Sequence, residues 1–319
     1  MNPQESSVDT MSNVSQPSPL TPPANVQKIG KFKGSIMLVK ESWKVLMQDK
    51  ELVWFPVLSV VASFAAFIVY IAIYFFAVTG TGLQSLTQLN LDTLKIIDDS
   101  SNTTMRYVFG FAYYLIMFFI TNFFLAGIYT IVHGRFNGKD LSVSDGFANA
   151  NKHVGKIFVW SFISATVGIV LQIISEKSKI IDKIVAWIFG TAWVVLTYFS
   201  LPSLVIGERS IGESFKESAS VIRKIWGEVI IINIGVGLFF GILTFFVMAL
   251  AIGVAALVPS TAMFISLVIL SVIYLVAVIV ISSTLDSIIK LALYEYATTG
   301  TVPQGFTPEL ITGIIKSGK

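Results

Sequence analysis

Six stretches of this chain, residues 52–78, 107–132, 157–174, 185–207, 229–256 and 263–285, contain no Asp, Glu, Lys or Arg. Each is close to or longer than the roughly 20 apolar residues that carry an α-helix across the hydrocarbon of a bilayer. The last two belong to one uncharged run, 229–285, which is too long for a single span. It divides at "LVPSTAM" (257–263), where Pro259 removes a backbone donor and Ser260 and Thr261 favour a turn. In hydrocarbon every backbone polar group needs an internal partner, so only helices and closed barrels can cross. The runs show no period-two alternation, which excludes a barrel. The sequence therefore predicts an all-α fold, a polytopic membrane helical bundle of six transmembrane helices. Composition agrees, with 54% hydrophobic and 13% charged residues against about 25% charged in an ordinary soluble domain.

Charge placement orients the bundle. With alternate loops assigned to opposite sides, seventeen of the 22 basic residues fall on the side of the amino terminus. Basic residues near span ends are retained in the cytoplasm, so both termini are expected there, in a multi-pass protein of the cell membrane. The loop "SEKSKIIDK" (175–183), with three lysines on the other side, runs against the trend. Residues 1–27 hold five of the ten prolines and no Lys or Arg. They lack the basic start and apolar centre of a secretory signal and read as a disordered Pro/Ser-rich tail. Residues 28–300 form the six-span domain, and 301–319 a short cytoplasmic tail. Asn102-Thr103-Thr104 has the spacing of a glycan acceptor, a pattern frequent by chance.

A repeated unit emerges ahead of the odd-numbered spans. Before the first, Ile36, Val39, Trp43 and Leu46 recur at helical steps, with Lys40, Glu41, Lys44 and Gln48 opposite. Before the third, Phe147, Ala150, Val154 and Ile157 do the same. Before the fifth, Ile211, Phe215, Ala219, Ile222 and Ile225 oppose Lys216, Glu217, Arg223 and Lys224. Each reads as an amphipathic helix suited to the cytoplasmic headgroup boundary. The third opens with Ser210-Ile-Gly-Glu213, the spacing of a capping box. The chain thus reads as three copies of an interfacial helix followed by a span outward and a span back, with Ser42, Gly146 and Ser214 in comparable positions.

Three segments carry a resemblance: "SWKVLMQDKELVWFPVLS" (42–59), "YFSLPSLVIGERSIGESFKESASVIRKIWGE" (198–228) and "LALYEYATTGTVPQGF" (291–306). They resemble a family of uncharacterised prokaryotic six-span membrane proteins, a domain of unknown function. More distantly, the repeat is similar to the membrane domain fused to some glycerophosphodiester phosphodiesterases. The resemblance implies a fold and a membrane location, and no catalytic site. The His, Glu and Asp cluster of the phosphodiesterase catalytic domain has no counterpart in this sequence.

The residues themselves offer little chemistry. Cysteine is absent, and the two histidines, His133 and His153, lack metal-ligand spacing. No enzyme activity, cofactor or metal is expected. The glycines of "GVGLFFG" (235–241) suit helix packing better than phosphate binding. Asp286 and Lys290 lie four apart just beyond the sixth span, spaced to pair on one helix face. Among neutral polar residues within spans, Asn122, Ser200, Pro202 and Asn233 mark the residues of a conceivable transport path. Pro202 would free the carbonyl of Tyr198, and broken helices can expose backbone oxygens to a cavity. Two functions remain. One is a non-catalytic membrane protein whose basic helices contact lipid, through anionic headgroups at the cytoplasmic face, or a protein partner. The other is a carrier or channel for a small solute or lipid. No nucleic-acid partner is expected.

Overall fold

The computed structural model describes residues 31–79, 103–176, 180–257 and 260–316. Residues 1–27, Asn102 and Pro259 lie outside the described residues, as does the part of 175–183 numbered 177–179. The described chain forms ten α-helices: α1 Lys31–Gln48, α2 Trp54–Thr79, α3 Thr103–Phe136, α4 Val143–Lys152, α5 Val154–Glu176, α6 Ile180–Thr197, α7 Ser200–Val205, α8 Ile211–Leu257, α9 Thr261–Thr299 and α10 Pro308–Lys316. A short 3-10 turn, Lys50–Val53, leads into α2. Six segments are long and apolar enough to cross a membrane: Lys50–Ala77, Tyr107–Phe136, Val154–Ser175, Trp187–Val205, Gly237–Leu257 and Thr261–Thr299. The fold is the all-α polytopic bundle that the uncharged runs require.

Burial is concentrated at one end. The core comes from α1 (Leu38, Val45, Leu46), the start of α2 (Phe55), the end of α3 (Ala126 to Phe136), α7, the first half of α8 and the second half of α9 (Leu285 to Tyr294). By contrast, none of the most apolar window within Gly237–Leu257 is buried, and only 6% of that within Thr261–Thr299. The physical reason is the solvent. In lipid, apolar side chains gain little by leaving tails for one another. In contact with water, burial of each Leu, Ile or Phe stabilises by about 1.5–3 kcal/mol relative to exposure. The helix ends that pack together here, the terminal layer, hold the conventional core of the described chain.

Two helices of that layer begin alike. At α4, Ser142 Oγ accepts from the Asp145 amide while Asp145 Oδ2 accepts from the Ser142 amide at 2.8 Å. At α8, Glu213 Oε2 accepts from the Ser210 amide at 2.9 Å and from its hydroxyl at 2.7 Å. These bonds hold both carboxyls below their ordinary range, through the Ser142 hydroxyl and amide for Asp145 and the Ser210 amide and hydroxyl for Glu213. A lowered folded pKa gives stability that is present above the unfolded value and lost as pH falls through the folded one. Amide protection at residues 143–146 and 211–214 is therefore expected to fall selectively between about pH 5 and about pH 3, around the ordinary Asp and Glu values near 3.9 and 4.3. Hydrogen exchange measures it, and uniform protection over that window contradicts the capping role.

α8 is one long helix broken by non-helical dihedrals at Ile225 (φ −133°, ψ 26°), close to the Gly227-Glu228 junction where its charge ends. The segment 211–224 thus meets the span at a kink. Ser42 and Ser214 are fully buried and Gly146 is buried, each where its helix packs closely. Around them the three copies align as Glu41-Ser42-Trp43, Asp145-Gly146-Phe147 and Glu213-Ser214-Phe215. In the second and third copies the acid closes a capping box. In the first, Glu41 sits in mid-helix and reaches the start of α10 instead, accepting from the Thr307 amide at 3.1 Å and its hydroxyl at 3.0 Å.

The structure differs from the periodicity of α1. Leu38, Ser42, Val45 and Leu46 are buried, whereas Ile36 and Trp43 are exposed and Val39 is partly so. Small Ser35 and Ser42 let one face approach the core, leaving the bulkier row to line an apolar groove beside α8 and α9. The segment after α9, set apart above as a tail, packs into the core through Phe306, Leu310 and Ile311. Gly300 (φ 76°) ends α9 in the left-handed region, and Gly305 (φ 94°) turns the chain back against Val45.

Candidate functional site

A cavity of about 260 Å³ lies where α3, α5, α6, α7 and α9 converge toward the terminal layer. On α3, Phe118, Asn122, Leu125 and Tyr129 line it, spaced four, three and four apart, as one helix face requires. Trp160 and Ser164 face it from α5, and Trp193, Val194 and Thr197 from the last turn of α6. Tyr198, Leu201 and Lys290 complete the wall. The indoles of Trp160 and Trp193 stack at 6.2 Å and 12°, and the ring of Phe215 packs on both, at 5.1 and 5.6 Å. The aromatic residue of the third repeat thus braces two helices of the second.

The break between α6 and α7 opens this wall. α6 stops at Thr197, whose hydroxyl donates to the Trp193 carbonyl at 2.7 Å. Such back-bonding bends helix ends. α7 restarts at Ser200, and Pro202 lies in its first turn, where a missing N–H is harmless. The amide of Phe199, left over at the break, donates to Ser218 Oγ of α8 at 3.0 Å. α7 is buried throughout.

Of the polar residues singled out by sequence, Asn122 lines the cavity and donates to Ser161 Oγ at 3.2 Å. Ser200 and Pro202 lie buried in α7 beside the lining residue Leu201, and the Ser200 hydroxyl has no partner among the described residues. Asn233 lies on α8, and its side chain is outside the described residues. The structure adds Lys290. Its Nζ stands 3.4 Å from Asp286 Oδ2 and 4.3 Å from the centre of the Tyr198 ring. The four-residue spacing announced the ion pair, but nothing in the sequence announced that Lys290 turns into a cavity shared with Asn122. A larger cavity of about 450 Å³ between α2, α3 and α9 carries Ser59, Ser63, Tyr113, Thr121 and Ser283, and Leu125 lines both.

Other charges of the terminal layer form local ties. Glu217 accepts from the hydroxyls of Ser203 and, at 3.0 Å, Tyr294, with Arg209 at 3.6 Å. His133 Nδ1 lies 2.6 Å from Glu295 Oε1, and Arg135 bridges Asp49 at 3.1 Å and Asp140 at 2.6 Å. Lys152 pairs with Glu208 at 2.7 Å, and this bond and charge hold the Glu208 carboxyl below its ordinary range. Among the described residues, no three His, Asp or Glu side chains converge as a metal-ligand set.

Comparison with known protein families matches residues 103–305 to a family of unknown function, DUF6159. The chain belongs to this family. The matched residues run from the first residue of α3 to the turn at Gly305 and include every side chain that lines the Lys290 cavity. No curated protein matches the chain.

Proposed function

We propose that this is a non-catalytic membrane protein whose terminal-side helices engage anionic lipid headgroups, that side being the cytoplasmic face of the cell membrane. The observation that carries it is the outward face of α1, where exposed Lys40 and Lys44 stand beside exposed Ile36, Trp43 and Met47. Such a mixture of cation, indole and aliphatic side chain suits neither water nor hydrocarbon alone and fits the boundary between them. α8 adds exposed Lys216 and Arg223. Among the described residues, none of these four cations has an ion-pair partner. Lys40 and Trp43 also stand at an apolar groove of about 480 Å³ between α1, α8 and α9, room for the tail of a lipid whose head they hold. The charge asymmetry of the loops supports the cytoplasmic assignment. A protein partner would compete for the same face.

The test is lipid enrichment around the full-length protein, extracted with its surrounding bilayer from vesicles of mixed neutral and anionic lipid. Each basic residue at a membrane surface contributes about 1 kcal/mol toward anionic lipid. Changing Lys40, Lys44, Lys216 and Arg223 to Gln should lower enrichment about fivefold per removed charge, and added salt should do the same to wild type. Enrichment indifferent to both changes removes the headgroup reading. The second reading, carriage of a solute or lipid through the bundle, is favoured by the Asn122–Lys290 cavity beside the α6–α7 break. Protein-dependent movement of labelled anionic lipid between leaflets of proteoliposomes would support it, and movement equal to that in protein-free vesicles would count against it.

A further inference from the structure

We propose that the cavity at Lys290 is a binding site for the anionic head of a bilayer amphiphile, a carboxylate or a phosphodiester monoanion joined to an apolar tail. The site rests on the membrane reading and not on the headgroup contacts of α1 and α8, so the two stand or fall separately.

The cation is set unusually. At a membrane boundary a lysine ordinarily extends its stem so that the ammonium reaches water. Here the side chain of Lys290 is 18% exposed while that of its partner Asp286 is 38% exposed, so the longer residue lies further inside. An ammonium has three donors. The contact to Asp286, at 3.4 Å, is longer than the 2.7–2.9 Å typical of a charge-assisted hydrogen bond. The face of Tyr198 attracts the charge without offering a lone pair. Donors of Lys290 thus remain for a ligand in the cavity.

The cavity is also graded from polar to apolar. Tyr129, Tyr198 and Lys290 mark the end near the terminal layer. Phe118 precedes Tyr129 by eleven residues on α3, about 16 Å along the helix axis at 1.5 Å per residue. Asn122 and Ser164 lie between. Ser164 is 7% exposed and lines the cavity, and its hydroxyl is a donor that a ligand there can use. A head that accepts from Lys290 and Ser164, with a tail lying toward Phe118, engages both of these donors.

The experiment uses the purified full-length protein in neutral detergent, with a fluorescent polyene fatty acid as probe and the protein's tryptophan emission as donor, Trp160 and Trp193 lining the cavity. The acid is expected to bind saturably and at least tenfold tighter than the polyene alcohol of equal length. Lys290→Gln should abolish that preference and leave alcohol binding unchanged, whereas Lys290→Arg should keep it. Ser164→Ala should weaken the acid several-fold. Lys44→Gln, on the outer face of α1, should have no effect, which separates this site from the surface contacts. Displacement by lysophosphatidylglycerol at lower concentration than by oleate assigns the site to a phospholipid, and the reverse order to a free fatty acid; either supports it. Equal affinities of wild-type protein for acid and alcohol overturn the proposal, and this comparison needs no variant to fold.

Discussion

Gly127→Val is expected to destabilise the protein by about 3 kcal/mol, the upper part of the range for forcing atoms into a packed core. A Cβ at residue 127 would stand within 2.9 Å of three atoms of the Phe55 ring. That ring cannot retreat. Phe55 is fully buried, a Cβ on Gly146 would meet it at 2.6 Å, and Phe147 lies against it at 5.1 Å. Gly127→Ala separates two opposing effects. Alanine improves the helix by about 1 kcal/mol, while the clash costs about 1–3 kcal/mol, and contacts this short put the balance on the side of loss. Unfolding of detergent-solubilised protein, followed by circular dichroism, measures both variants. The change Phe55→Leu should recover part of the Gly127→Ala loss, as expected for residues in direct contact. An alanine variant at least as stable as wild type would show that α2, α3 and α4 do not meet this tightly.

Glu41→Ala should release the carboxy-terminal segment. The carboxylate, 8% exposed, accepts both the amide and the hydroxyl of Thr307, the residue that opens α10. Hydrogen bonds to a charged group each contribute about 1.5–3 kcal/mol, and an amide left without its acceptor adds to the loss. With a net change of about 3 kcal/mol, amide protection across 303–312 falls about a hundredfold, since 1.36 kcal/mol is a factor of ten. Protease sensitivity near Gly305 should rise in parallel. Glu41→Gln keeps an acceptor and should lose less. Protection that stays within threefold of wild type in Glu41→Ala would mean that Phe306, Leu310 and Ile311 hold the segment by burial alone.

These two anchors show where reading from sequence stops. The capping box at Ser210–Glu213 and the Asp286–Lys290 pair were legible because each joins residues three or four apart on a helix whose geometry is fixed. The matching box at Ser142–Asp145 carried the same signal with the shorter acid and was missed. The triplet that marks each repeat was visible only at its central small residue, because the acid on one side does different work in the first copy. Asn122 was flagged as a polar group among apolar neighbours, which is a local signal. Lys290 was legible only as the partner of Asp286 and Ser164 not at all, since a residue's exposure to a cavity depends on the helices opposite.

What this chain's order of residues determined by itself was its spans and its α-helical class, because hydrocarbon demands internal backbone hydrogen bonds and about 20 apolar residues per crossing. Those conditions act on each segment alone, with no knowledge of its neighbours. Only the tertiary structure decided which side of α1 faces inward, how Glu41 meets Thr307 266 residues away, and that Lys290 turns toward Tyr198. Such choices follow from close packing between segments distant in the chain, where a small residue on one helix makes room for a large one on another.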